Sequence, residues 1–107
     1  MTSTSKKMNE VLEDFVKVCI ENLVEDLDSI FVQVILSTKS IMVNIKVDRT
    51  DLGRVIGRKG RTIEAIKLLV IAIKNTHFND NRQVFLELLE DDNFVSFNKG
   101  GSGYDSQ

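Results

Sequence analysis

The chain predicts one α+β domain with the element order α-β-β-α-α-β. Three observations carry this. Apolar residues recur at helical spacing near the start and again after residue 61. Two β-branched runs, 30–36 and 41–47, are separated by a short polar link. A pair of glycines, Gly57 and Gly60, separates a short helix from a longer one. The length of 107 residues is that of one domain, and 42% apolar with 28% charged residues is enough for a core and a solvated surface.

Residues 1–8 are small and polar and are expected to form a flexible lead, with the folded domain spanning 9–90. From Asn9 to about Asp26 the apolar positions Val11, Leu12, Phe15, Val16, Cys19, Ile20, Leu23, Val24 and Leu27 mark an amphipathic helix with one buried face. Asn9 is its candidate N-cap, and Glu10 and Glu13 suit the first turn. Cys19 falls on the apolar face and reads as a small buried hydrophobe. The near-continuous apolar run 30–36 predicts a strand covered on both faces. Residues 41–47 alternate, with Ile41, Val43, Ile45 and Val47 on one side, so the two strands form a hairpin.

Residues 48–51 form a turn in which Thr50 or Asp51 caps a short helix, 52–56. Gly53 inside it costs roughly 1 kcal/mol against alanine, which implies close backbone packing there. A longer helix follows over 61–75. Its apolar arc exceeds half the circumference at ~100° per residue, more than packing on one sheet requires. Ile63, Ile66, Val70 and Ile73 fill one sector; Ala65, Leu68, Leu69 and Ala72 fill another, which either lies under another element of the chain or is a partner face. Residues 75–82 read as a polar loop containing His77 and Phe78, and 83–89 as the last strand. The stretch 91–107 turns acidic, then Asn-, Gly- and Ser-rich, and is expected to be a flexible tail.

Charge is unevenly placed. Seven acids against Lys17 give residues 9–28 a net −6, whereas seven bases against three acids give 46–67 a net +4. The whole chain is at −2, so the positive end is a local anion site rather than a general polyanion coat. That end coincides with Val55-Ile56-Gly57-Arg58-Lys59-Gly60-Arg61-Thr62-Ile63. Glycines let backbone approach a ligand, and the following helix start supplies unpaired N–H groups that suit phosphate.

The stretch resembles the V-I-G-x-x-G-x-x-I signature of KH domains, with the loop at Gly57, Arg58, Lys59 and Gly60. The element order is similar to the type II, or prokaryotic, KH fold: a mixed three-stranded sheet against three helices. More narrowly, DLGRVIGRKGRTIEAIK resembles the small bacterial single-KH proteins of KhpA (YlqC) type. The resemblance implies a cytoplasmic RNA chaperone or post-transcriptional regulator, linked in that family to cell shape and cell wall biogenesis. It also implies a dimer with itself or with a second KH protein. Single-stranded RNA would cross the loop, Arg58 and Lys59 nearest its phosphates and Arg54 and Arg61 extending the positive track. Val55, Ile56 and Ile63 would line the groove and hold the helices together. KH modules grip about four nucleotides.

Other classes fit poorly. A phosphate-binding G-x-x-x-x-G-K-[ST] ending at Gly60 needs glycine where Val55 stands and lysine where Arg61 stands. One His and one Cys give no nucleophile set and no metal cluster, so no enzyme, cofactor or small-molecule substrate is expected. No run of 18 apolar residues and no apolar leader suggest a membrane or secretory segment. The alternative reading is a protein-interaction adaptor that uses the helix 61–75 face and keeps a vestigial RNA groove.

Overall fold

The computed structural model describes residues 7–90 and 93–96. Helix α1 spans Met8–Glu21 and buries Met8, Leu12, Val16 and Ile20. It starts ahead of Asn9 because Met8 joins the core. Lys7 is the N-cap, and its amide donates to the Glu10 carboxylate at 3.3 Å. The helix also ends before 26. The Asn22 side chain donates to the Val18 carbonyl at 2.7 Å, and Leu23 and Val24 continue as a turn on the Ile20 carbonyl.

Strand β1 is Phe31–Leu36, β2 is Ser40–Lys46 and β3 is Gln83–Glu90. The β1–β2 hairpin is antiparallel, from Phe31 opposite Lys46 to Leu36 opposite Ile41. β2 and β3 are parallel, from Ser40 opposite Gln83 to Lys46 opposite Leu89. Parallel neighbours need a crossover. Here it contains helix α2, Leu52–Ile56, and helix α3, Arg61–Phe78. The result is an α+β fold: three helices against a mixed sheet whose first three strands follow the expected order.

Two further features differ from the sequence reading. A fourth strand, β4, Asn93–Ser96, pairs antiparallel with the outer edge of β3 and gives that edge a backbone partner. It occupies part of the stretch assigned to the tail; residues 97–107 lie outside the described residues, as do 1–6. Strand β1 is not covered on both faces. All helices lie on one side of the sheet, over Ile41, Val43, Ile45, Val84, Leu86 and Leu88, so β1 is an edge strand with Phe31 49% and Ile35 45% exposed. Its outward face stays open because three short helices cover only one side.

The crossover ends later than periodicity suggested. His77 and Phe78 belong to the last turn of α3 rather than to a loop. Asn79, in the left-handed region at φ 49°, stops the helix. Buried Lys74 ties this end down: its Nζ donates to the Asp80 carbonyl at 2.7 Å and to Asn75 Oδ1 at 2.8 Å.

Candidate nucleic-acid interface

The turn between α2 and α3 reverses the chain in four residues, three of them at positive φ: Gly57 (77°), Lys59 (57°) and Gly60 (74°). Gly57 has ψ 172°, a region open essentially to glycine alone. A Cβ there would run into the Thr62 hydroxyl, its Cβ and its amide. Gly57 closes α2 by donating to the Gly53 carbonyl at 2.9 Å, and Gly60 donates back to the Gly57 carbonyl at 3.1 Å. Lys59 holds a left-handed conformation at a cost of about 1 kcal/mol. This winding leaves the amides of Arg58 and Lys59 outside the hydrogen bonds found among the described residues. They stand directly before the first turn of α3, which adds its partial positive charge.

Arg58, Lys59 and Arg61 are exposed, and among the described residues none forms an ion pair. Among the described residues the structure therefore brings three unneutralised cations and two unbonded amides to one turn. Arg54 is different. Its guanidinium donates to Asp51 Oδ1 at 2.8 Å and lies 3.3 Å from Glu25. The positive track expected at Arg54 is thus largely neutralised there.

Asp51, read from sequence only as a candidate helix cap, has a role that sequence reasoning missed. It is 1% exposed and accepts from the amides of Glu25 and Asp26 at 3.2 and 3.1 Å, as well as from Arg54. Burial alone raises the pKa of this carboxyl. The two amides and the guanidinium outweigh burial and hold it below the ordinary carboxylate value. The network pins the connection after α1 to the base of α2, one short helix away from the glycine turn. Asp51 does not cap α2 with its side chain; the preceding turn is capped by Asp48, which accepts from the Thr50 amide at 3.0 Å. The Thr50 hydroxyl and amide draw the Asp48 pKa down as well. Gly53, expected in close packing, is exposed, and a Cβ on it would meet nothing within 4 Å.

The apolar flanks lie deeper than a groove lining. Val55 is fully buried, Ile63 is 2% exposed and Ile56 7% exposed. They clamp α2 to α3 and fix the turn from beneath. A depression opens further along the same side of α3. A cavity of about 440 Å³ is lined by Lys67, Ile71 and Lys74 of α3 and by Arg82, Gln83, Val84 and Phe85 at the start of β3. At ~100° per residue Lys67 and Lys74 fall within ~40° of Ile63 on α3.

The other side of α3 carries the expected surplus face. Ala65, Leu68, Leu69 and Ala72 are all exposed, Leu68 at 56% and Leu69 at 50%. A depression of about 270 Å³, lined by Lys59, Gly60, Arg61, Glu64, Ala65 and Leu68, joins this face to the glycine turn. Cys19 is half-buried, and burial pushes its thiol pKa up, as expected of a packing residue. No helix among the described residues is long and apolar enough to cross a membrane.

A helix–GXXG–helix turn inserted between two parallel strands, behind an α-β hairpin extension, defines a KH domain of type II. The family model for the KhpA/KhpB KH domain matches residues 13–87, and the chain belongs to that family. It is 32% identical over 80 residues to the RNA-binding protein KhpA of Chlamydia caviae, a match covering 75% of this chain and 99% of that protein. It is 33% identical to the RNA-binding protein KhpA of Aquifex aeolicus (74% of this chain, 96% of that one) and 33% identical to that of Borreliella burgdorferi (77% and 94%).

Proposed function

We propose that the chain binds single-stranded RNA at the glycine turn and acts as a small cytoplasmic RNA chaperone or post-transcriptional regulator, by binding rather than by catalysis. The observation that carries this is the turn itself: among the described residues Arg58, Lys59 and Arg61 form no ion pair, and they stand beside two amides without a hydrogen bond and a helix start. Phosphates would take the amides and cations, and bases would follow the α3 side into the groove at Lys67 and Ile71. Buried Val55, Ile56 and Ile63 hold that geometry; Gly57 and Gly60 permit it; Arg54 supports it through Asp51. The names of the bacterial relatives, all RNA-binding proteins, agree with this reading.

One module with so few cations should bind at micromolar strength, about −8 kcal/mol. Titrating a labelled single-stranded oligonucleotide at several salt concentrations tests it. Three phosphate contacts predict a log K against log salt slope of about −2. No salt dependence, or no binding, would contradict the proposal.

The exposed face Ala65, Leu68, Leu69 and Ala72 supports a second element: pairing with another copy or with a second KH-containing protein. It lies on the opposite side of α3 from the groove, so RNA binding and pairing are compatible, and pairing would raise affinity through effective concentration. A Leu69→Asp variant should remain folded and run as a monomer in light scattering. A native chain that is already monomeric removes self-pairing.

A further inference from the structure

Among the described residues the fold buries two charged side chains, Asp51 and Lys74. Asp51 is met by two amides and a guanidinium. Lys74 is met less fully. An ammonium carries three N–H donors and no acceptor. Two of the three go to neutral oxygens, Asn75 Oδ1 at 2.8 Å and the Asp80 carbonyl at 2.7 Å. The Asp80 carboxylate is engaged instead by Arg82, 3.2 Å from its guanidinium and 2.8 Å from its amide. Among the described residues Lys74 therefore has no ion pair and one N–H left over, at 4% exposure. A buried donor without a partner costs free energy until an acceptor reaches it.

The place of Lys74 says what that acceptor is. Lys67, Ile71 and Lys74 follow at i, i+4 and i+7, one stripe of α3, and form one wall of the 440 Å³ cavity. Val84 and Phe85 stand in the other, and no acid lines it. Lys67 is half-buried and Lys74 is buried. At ~1.5 Å per residue Lys67 stands about 9 Å and Lys74 about 20 Å along α3 from Arg61. The stripe thus runs from the glycine turn past an accessible cation to an inaccessible one. Apolar walls around it suit the flat face of a base.

We propose that Lys74 is a specificity residue of the RNA groove: it gives its third N–H to a base carbonyl, so the far end of the groove selects the keto bases uracil and guanine over cytosine and adenine. This deepens the RNA reading of the turn and rests on it. Uracil O4 and guanine O6 accept a hydrogen bond, whereas cytosine and adenine carry an amino donor at the same ring positions. An ammonium facing an amino group leaves both donors unsatisfied where water has little access. Lys67, nearer the turn, meets phosphate, which carries no sequence information.

Oligouridine and oligocytidine of equal length, which differ at this acceptor, test it by titration against the native chain, Lys74→Met and Lys67→Met. Methionine keeps an unbranched apolar stem and removes the ammonium. The native chain should favour oligouridine about tenfold. Lys74→Met should bring the ratio to about one, chiefly by losing oligouridine. It should also melt lower, because the tie at the end of α3 is lost, but a structural loss weakens both oligonucleotides alike. Lys67→Met should weaken both alike, keep the ratio and make the salt slope shallower by about 1. A further titration needs only the native chain: oligo-4-thiouridine, with weakly accepting sulfur in place of O4, should lose most of the preference. Equal affinity for the two oligonucleotides, a preference for oligocytidine, or full affinity for the thio form overturns the proposal and leaves the RNA reading standing. A uridine preference that survives in folded Lys74→Met overturns the role of Lys74. No binding of any oligonucleotide by the native chain overturns both.

Discussion

Helix α2 and the turn that follows it use the same two residue types to opposite ends. α2 holds Gly53 and Arg54; four residues on, the turn holds Gly57 and Arg58. Gly53 sits in ordinary helix with open space where a Cβ would go, whereas Gly57 sits where a side chain collides with Thr62. Arg54 is engaged by Asp51 and Glu25, whereas Arg58 faces solvent without an ion pair among the described residues. A glycine or an arginine thus takes its meaning from backbone angle and from what stands within hydrogen-bond reach. Arg54 serves the fold, Gly53 meets no packing demand, and Gly57 and Arg58 are the pair that the proposed RNA site uses.

The largest way to break this contrast is Gly57→Ala. It forces a Cβ into Thr62 at a glycine-only backbone angle and should cost roughly 3 kcal/mol or more, read by chemical denaturation. A small loss would mean that the turn relaxes freely, and the obligatory role of Gly57 would fall.

Exchanging the arginines sharpens the second half. Arg54→Ala should lower the melting temperature with little change in RNA affinity, and Arg58→Ala should do the reverse. If Arg54→Ala weakens RNA binding without loss of stability, Arg54 belongs to the positive track after all.

The carboxylate beneath Arg54 gives a pH signature. The folded pKa of Asp51 lies below its unfolded value, ordinarily about 3.9. Its contribution is therefore complete above about pH 5 and is lost as pH falls through the folded pKa. Asp51→Asn should melt lower at neutral pH and should flatten the decline in melting temperature between about pH 5 and pH 2. An unchanged acid profile would place the acid sensitivity elsewhere, Asp48 being the next carboxylate held low by its hydrogen bonds.

The smallest effect is Gly53→Ala. With open space at the Cβ position, alanine should stabilise by about 0.5–1 kcal/mol. A loss of stability would restore the close packing that the sequence suggested.

Much of this was legible before any coordinates. Alternation marked β2 and β3, the 3.6-residue repeat marked α1 and α3, and glycine spacing with basic centres marked the turn. The surplus sector of α3 followed from an arc too wide for one sheet, but its exposure rather than burial under another element came only from the packing. What stayed hidden was set by distant partners. The burial of Asp51 depends on two amides 25 and 26 residues away, which no local pattern records. The space around Gly53 depends on how α2 lies on α3. The open face of β1 follows from the number of helices, whereas its apolar run reads alike at an edge or in a centre. The end of α3 at Phe78 is set by Lys74, a charge whose partners are supplied by the following turn.

The most direct measurement is the affinity of a short single-stranded RNA for the native chain and for Arg58→Asp with Lys59→Asp, alongside circular dichroism of both. The account predicts matching spectra and melting curves, with affinity lowered at least about a hundredfold, since two attractive phosphate contacts become repulsive. Equal affinity in a folded double variant would contradict it and would move the function to the exposed face of α3.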